Sequence, residues 1–234
     1  MSRPQALVSW SSGKDSAWAL ETVRQPNNID IVGLLTTVTE GYARVSMHGV
    51  REEILDRQAA ALGLPCRKVR IPPGCVNADY ELALSQALAG ARAEGITHLI
   101  FGDLFLEDVR RYREDRLSGS GIEPVFPLWG RDTRELAEEM IAADLQAVVV
   151  CVDPRAVPET LAGRRFDRSF LRDLPAGVDP CGERGEFHTC LLAGPMLRET
   201  LALRQGPVVA REGFVFADFF LEEASARSGA APAP

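Results

Sequence analysis

No C-x-x-C pair occurs anywhere in the 234 residues of this chain. Its five cysteines, Cys66, Cys75, Cys151, Cys181 and Cys190, are an odd number at unpaired spacings. That argues against a zinc ribbon, an iron–sulfur cluster and a disulfide framework. No apolar stretch approaches the ~20 residues that a membrane span requires. Leu145 to Val152 is apolar but short, and reads as a buried strand. The N-terminus lacks a charged region followed by a long apolar one, so no secretory signal is expected and the cytoplasm is the expected compartment. An excess of positive charge is missing too. The formal net charge of −7 disfavours bulk binding to nucleic acid, although Arg110, Arg111, Arg113 and Arg116 form a local basic patch. There is no internal repeat.

What is present is an ordinary globular composition, nearly half apolar and a quarter charged. The first ~150 residues alternate strand-like and helix-like patterns, which predicts an α/β fold with a parallel sheet and helices on both faces. Strands are expected at Ala6 to Trp10, Ile29 to Thr37, Cys66 to Ile71, Thr97 to Gly102 and Ala147 to Val152. Helices are expected at Ser16 to Arg24, Arg51 to Leu62, Ala78 to Glu94 and Thr133 to Ala143. Gly63 suits a left-handed helix end and Pro65 a stop. After Asp153, prolines and glycines crowd a loop-rich region. Leu191 to Arg204 and Val208 to Leu221 then read as a closing hairpin around Gln205-Gly206-Pro207. Ala224 to Pro234 reads as a disordered tail. The aromatic run Phe214, Phe216, Phe219 and Phe220 is too large for one hairpin face. Most of it is read as core, and the rest as a contact with a second copy of the chain.

The segment Ser11-Ser12-Gly13-Lys14-Asp15-Ser16 follows the first strand and opens the first helix. A strand–turn–helix of small residues aims backbone N–H groups at one spot, and the helix dipole favours an anion there. It is not a Walker A loop, because Val8 stands where that motif needs Gly and Asp15 where it needs Ser or Thr. The spelling resembles the pyrophosphate loop of the PP-loop ATP pyrophosphatases, which split ATP into AMP and pyrophosphate. The bland alternative is an ordinary turn capped by Ser11 or Ser12.

Three later segments extend the resemblance: Phe101-Gly102-Asp103-Leu104, Pro124 to Asp132, and Asp179-Pro180-Cys181-Gly182-Glu183-Arg184-Gly185-Glu186-Phe187-His188-Thr189. With the first loop they look like the ATP-binding domain of the diphthine–ammonia ligase family, over about Leu7 to Leu221. The short, stand-alone relatives in that family are the expected kin. The resemblance implies a Rossmann-like, PP-loop type domain over residues 1–130, a smaller α+β acceptor-binding subdomain over 131–223, and a tail at 224–234. It implies ATP and Mg²⁺, a small-molecule or protein carboxylate as acceptor, and ammonia or an amine as donor. The late loop departs from the ligases at Arg184 and His188, in the segment expected to face the acceptor. Diphthine is therefore one alternative among acceptors.

On this reading Ser11, Ser12, Gly13, Lys14 and Ser16 hold the β- and γ-phosphates, with Lys14 as a mobile charge. Asp15 either helps hold Mg²⁺ or caps the helix. Leu35, Thr36 and Thr37 line the adenine pocket, and His48 closes over base or ribose. Gly102 lets the α-phosphate approach, Asp103 orients Mg²⁺ or ribose, and Arg110 offsets charge developing on the α-phosphate. Glu183 and Glu186 position the amine or take its proton. Gly182, Arg184, His188 and Thr189 extend the acceptor side. Cys181 reads as a small buried thiol rather than a nucleophile. A nucleotide-binding sensor without turnover is the alternative of another class, and a tRNA-modifying enzyme is a third.

Overall fold

The computed structural model describes residues 3–46, 48–74 and 76–222. Met47, Cys75 and the predicted tail lie outside the described residues. The first sheet has five parallel strands in the order β4 (Cys66–Ile71), β2 (Asp30–Thr39), β1 (Gln5–Ser9), β5 (Ile96–Ile100) and β6 (Glu123–Val125). The two-residue β3 (Arg44–Val45) adds antiparallel to the end of β2. Alternation along β1 explains the layers. Ala6 and Val8 point into one core and Leu7 into a second. Helices α1 (Lys14–Arg24) and α2 (Glu52–Leu62) cover the first face, α3 (Asn77–Ala93) and α4 (Glu107–Leu117) the other. The chain leaves β1 towards β2 and later returns on its other side to β5. The crevice of this topology therefore falls at the carboxyl end of β1.

After α5 (Thr133–Ala142) comes a second sheet, antiparallel, in the order β8 (Phe187–Ala193), β7 (Gln146–Val152), β10 (Phe214–Leu221) and β9 (Leu203–Arg211). Its inner residues, among them Val149, Cys190 and Val215, join the same core as Trp10, Leu20 and Ile54. Among the described residues no helix is long and apolar enough to cross a membrane.

Four elements differ from the sequence expectation. The β9–β10 hairpin turns at Glu212-Gly213, not at Gln205-Gly206-Pro207. Both turn residues have positive φ, +53° and +84°, as a two-residue turn matched to strand twist requires. Gly206 instead lies inside β9, where a Cβ would sit 2.4 Å from the Phe220 ring. Leu191 belongs to β8, which pairs with β7 rather than with the closing hairpin. The short edge strand β6, with Pro124 at its centre, and the six-residue α6 (Arg168–Asp173) inside the Pro/Gly-rich region were not anticipated. Gly63 does end α2 at φ +68°.

Asp218 of β10 clamps the second sheet to the first. Its carboxylate accepts from Arg44 at 2.9 and 3.0 Å and from Arg51 at 3.0 and 2.6 Å. Burial works against the charge, but the two guanidiniums prevail and hold the carboxyl down to about 2. Its stabilisation is therefore present above the ordinary carboxylate range and lost as pH falls through 2. We expect Asp218→Asn to lose about 1–2 kcal/mol at neutral pH, the pairs being partly screened by solvent. The gap between the two proteins should close in denaturant melts taken below pH 4, and a constant gap would contradict this account.

Candidate active site

The turn after β1 is held from both sides. Ser12 is fully buried at φ +68°, a conformation that non-glycine residues rarely adopt. Its carbonyl accepts from the Leu191 N–H of β8 at 2.9 Å and from Gln58 Nε2 at 3.2 Å. Gln58 also donates to the Leu191 carbonyl at 2.8 Å and accepts from Trp10 Nε1 at 3.0 Å. The Lys14 N–H donates to Thr189 Oγ1 at 3.1 Å. Gly13 lies so close to Thr189 and His48 that a Cβ would come within 3.1 Å of the Thr189 carbonyl. Ser11 Oγ and Ser16 Oγ are 3.2 Å apart across the turn. Ser12 Oγ is enclosed without a hydrogen-bond partner among the described residues.

Lys14 is not the mobile charge the sequence suggests. Its side chain is buried, and Nζ donates to both Asp15 oxygens at 2.9 and 2.8 Å and to the Cys181 carbonyl at 2.5 Å. The Phe166 and Phe187 rings lie 5.2 and 5.4 Å away. Burial opposes the ammonium, yet the Asp15 carboxylate outweighs it and the pKa stands above its ordinary value. Asp15 is thus committed to Lys14. Among the described residues no three ligating side chains converge.

A cavity of about 300 Å³ opens over the ends of β1, β2 and β5. Ser9, Trp10 and Ser11 come from β1 and its turn, Leu35 and Thr37 from β2, Val45, Ser46 and His48 from the β3 region, Leu99 and Phe101 from β5. Thr36 points to the other face, where its hydroxyl accepts from the Cys66 thiol. The outer wall consists of Tyr80, Leu84 and Leu88 of α3 and Tyr112, Arg113, Arg116 and Leu117 of α4. Sequence reasoning missed this wall. The signal available was the i, i+4, i+8 spacing of Tyr80, Leu84 and Leu88. Apolar walls with scattered hydroxyls and this volume suit the nucleoside part of a nucleotide.

Arg110, the arginine singled out from sequence, does not line the cavity. It pairs with Glu114 at 2.7 Å and stacks on Phe126 and Trp129. Arg113 lines it instead, and donates to Asp103 at 2.7 and 3.2 Å. Gly102 has no room for a side chain, since a Cβ would meet the Asp15 backbone at 2.8 Å. That contact presses the end of β5 against the start of α1.

The late loop lies against these parts. Glu183 Oε1 accepts from the Leu104 N–H at 2.7 Å and the Phe105 N–H at 3.4 Å. Burial raises the Glu183 carboxyl to about 7, against those amides, with Asp15 and Asp103 adding to the rise. Glu186 is buried and accepts from the Asp179 N–H at 3.1 Å and the Arg184 N–H at 2.9 Å. Asp179, also buried, accepts from the Glu183 N–H at 2.8 Å. Gly182 has φ +72°, and a Cβ there would meet the Phe187 carbonyl at 2.8 Å. The Cys181 thiol is buried, donates to the Thr133 carbonyl at 3.3 Å and is pushed up in pKa by burial. Arg184 reaches solvent over the Phe105 ring. His188 is half-buried, its ring centroid 4.4 Å from that of His48 with the rings tilted by 40°, and desolvation lowers both imidazoles, His188 to about 4.

A central strand–turn–helix, a parallel sheet flanked by helices and a cavity over the strand ends define an α/β protein with the PP-loop ATPase fold. The comparisons are more specific. A family model described as diphthamide synthase N-terminal domain matches residues 4–123, and one described as diphthamide synthase C-terminal domain matches 132–216. The chain belongs to the diphthamide synthase family. It is 30% identical over 118 residues to the diphthine–ammonia ligases of Bos taurus and Homo sapiens, a match that spans 48% of this chain and 44% of each of them. With the Danio rerio diphthine–ammonia ligase it shares 26% identity over 183 residues, 72% of either chain.

Glu183 sets a pH signature. The folded protein keeps its proton to about pH 7, whereas the unfolded chain releases it in the ordinary carboxylate range. Its contribution therefore makes stability fall as pH rises across that window. His188, neutral down to about 4, acts in the opposite sense below its ordinary range, and comparison with a variant cancels it. Thermal melts of Glu183→Gln should gain on the wild type steadily from pH 5 to 7.5. Parallel curves would mean that Glu183 titrates normally.

Proposed function

We propose that this protein is an AMP-forming ATP-dependent amide ligase. In the first step an acceptor carboxylate oxygen attacks the α-phosphorus of ATP and pyrophosphate leaves. In the second, ammonia or an amine attacks the acyl carbon, loses a proton, and AMP leaves. The observation that carries this reading is Glu183. An enclosed carboxyl that exchanges its proton near neutrality, bonded to the turn that follows β5, is matched to accepting the nitrogen's proton. The cavity supports the ATP half, with Leu35, Leu84 and Leu99 offering an apolar slot for a base and Thr37, Ser46 and Ser9 offering hydroxyls. Ser11, Gly13 and Ser16 at the start of α1 would receive phosphate oxygens. Lys14 acts there through its field and not as a reaching ligand.

The names of the relatives support diphthine as the acceptor and ammonia as the donor. The late loop here presents Arg184 to solvent, while His188 is half-buried against His48. A second reading, a nucleotide sensor without turnover, draws on the enclosure of Lys14, which leaves the turn without a free cation.

The deciding experiment incubates the protein with ATP, ammonium and either a diphthine-bearing elongation factor or a fractionated metabolite extract. Equal amounts of AMP and pyrophosphate, rising with one acceptor, are the expected outcome. ATP binding without AMP would favour the sensor, and ADP with phosphate would overturn both. Glu183→Gln should cut kcat by about 10²–10⁴ while ATP affinity stays within about twofold, since Glu183 does not line the cavity.

A further inference from the structure

Three acidic side chains sit in one late loop, yet their hydrogen bonds give them different work. We propose that Asp179 and Glu186 are positioning residues, whose carboxylates fix the backbone on both sides of Glu183 and so hold its carboxyl against the Leu104 and Phe105 amides. The inference rests on the amide-ligase reading only for its catalytic consequence.

The bonds bracket Glu183 residue by residue. Asp179 Oδ2 takes the N–H of Glu183 itself, and Glu186 Oε2 takes the N–H of Arg184, the next residue. Glu186 Oε1 takes the Asp179 N–H and closes the ring of contacts. Both carboxylates are more than nine-tenths buried, so neither has much surface left for a substrate. The Gly182 N–H bonds to the Asp179 carbonyl at 2.9 Å and the Gly185 N–H to the Gly182 carbonyl at 3.0 Å, which makes two successive turns. Lys14 Nζ on the Cys181 carbonyl ties the frame to α1. Out of this frame the Glu183 carboxyl reaches the amides of Leu104 and Phe105. The charged groups facing it are Asp15 and Lys14 from α1, Asp103 with its partner Arg113 from the β5–α4 side, and Asp179, Arg184 and Glu186 from its own loop.

Geometry then separates two substitutions that charge alone would not. Both Glu186 oxygens are acceptors, so Glu186→Gln turns an NH₂ against a backbone N–H and breaks one bracket. Asp179→Asn can still present its carbonyl oxygen to the Glu183 N–H. The test follows the Glu183 carboxyl by ¹³C NMR titration in the wild type, Asp179→Asn and Glu186→Gln, with kcat against pH beside it. A loosened loop exposes Glu183 to water and removes its main source of raised proton affinity. We expect its titration to stay near 7 in Asp179→Asn and to drop towards the ordinary carboxylate range in Glu186→Gln. kcat should fall about tenfold or more in Glu186→Gln and change less than about threefold in Asp179→Asn. If Glu186→Gln does not fold, Asp179→Ala removes the other bracket and should lower the Glu183 titration in the same way. A Glu183 titration unmoved by either loss overturns the proposal, as do equal losses of kcat in the two amide variants. Should no acceptor give AMP, the ligase reading fails, while the titration still decides the positioning roles by itself.

Discussion

The turn after β1 keeps its shape because β8 is bonded to it. Ser12 sits in a left-handed conformation that a serine adopts only at a cost of order 1–3 kcal/mol. The Leu191 N–H and Gln58 hold its carbonyl, and Thr189 caps the next amide but one. The same docking removes Lys14 from water, and a buried ammonium persists only where its partners are close. Asp15 and the Cys181 carbonyl meet that demand. The second sheet is therefore part of the first sheet's loop. An isolated N-terminal half would leave Lys14 unpaired towards the late loop and the Ser12 carbonyl without its β8 donor.

From that docking follows the division of labour among the carboxylates. Each acid near the turn has a hydrogen-bond partner. Asp15 is held by Lys14, Asp103 by Arg113, and Asp179 and Glu186 by backbone amides. Glu183 is half-buried with backbone amides donating to its carboxyl, and its proton affinity rises to about 7. Burial without a cationic partner, not sequence neighbourhood, selects it from five candidates. The two adjacent imidazoles behind Gly13 are kept neutral by the same desolvation.

The cavity shows what a pattern can and cannot reveal. Leu35 and Thr37 line it while Thr36 does not, as strand alternation dictates once the face is known. The arginine row Arg110, Arg111, Arg113 and Arg116 was legible as a basic patch. Which arginine turns inwards was not, because that depends on the rotation of α4 against β5 and β6. Arg110 finds Phe126 and Trp129, whereas Arg113 finds Asp103 and the cavity. The hairpin turn was misplaced for a related reason. Gly206-Pro207 is a turn signal by composition, but the Phe220 ring requires that glycine within a strand.

By itself the sequence determined the strand–turn–helix at Ser11 to Ser16, the alternation that builds the parallel sheet, the helix stop at Gly63 and the kinship carried by two spaced loops. These are local. Periodicity, turn chemistry and capping act within one or two elements, so neighbouring residues encode them. Only the tertiary structure decided that Lys14 is enclosed, that Arg113 and not Arg110 lines the cavity, that His188 packs against His48 and that Glu183 is the acid poised near neutrality. Each depends on burial and on partners far along the chain, such as Thr189 bonded 175 residues after Lys14. Desolvation and long-range hydrogen bonds leave no periodic trace in the sequence.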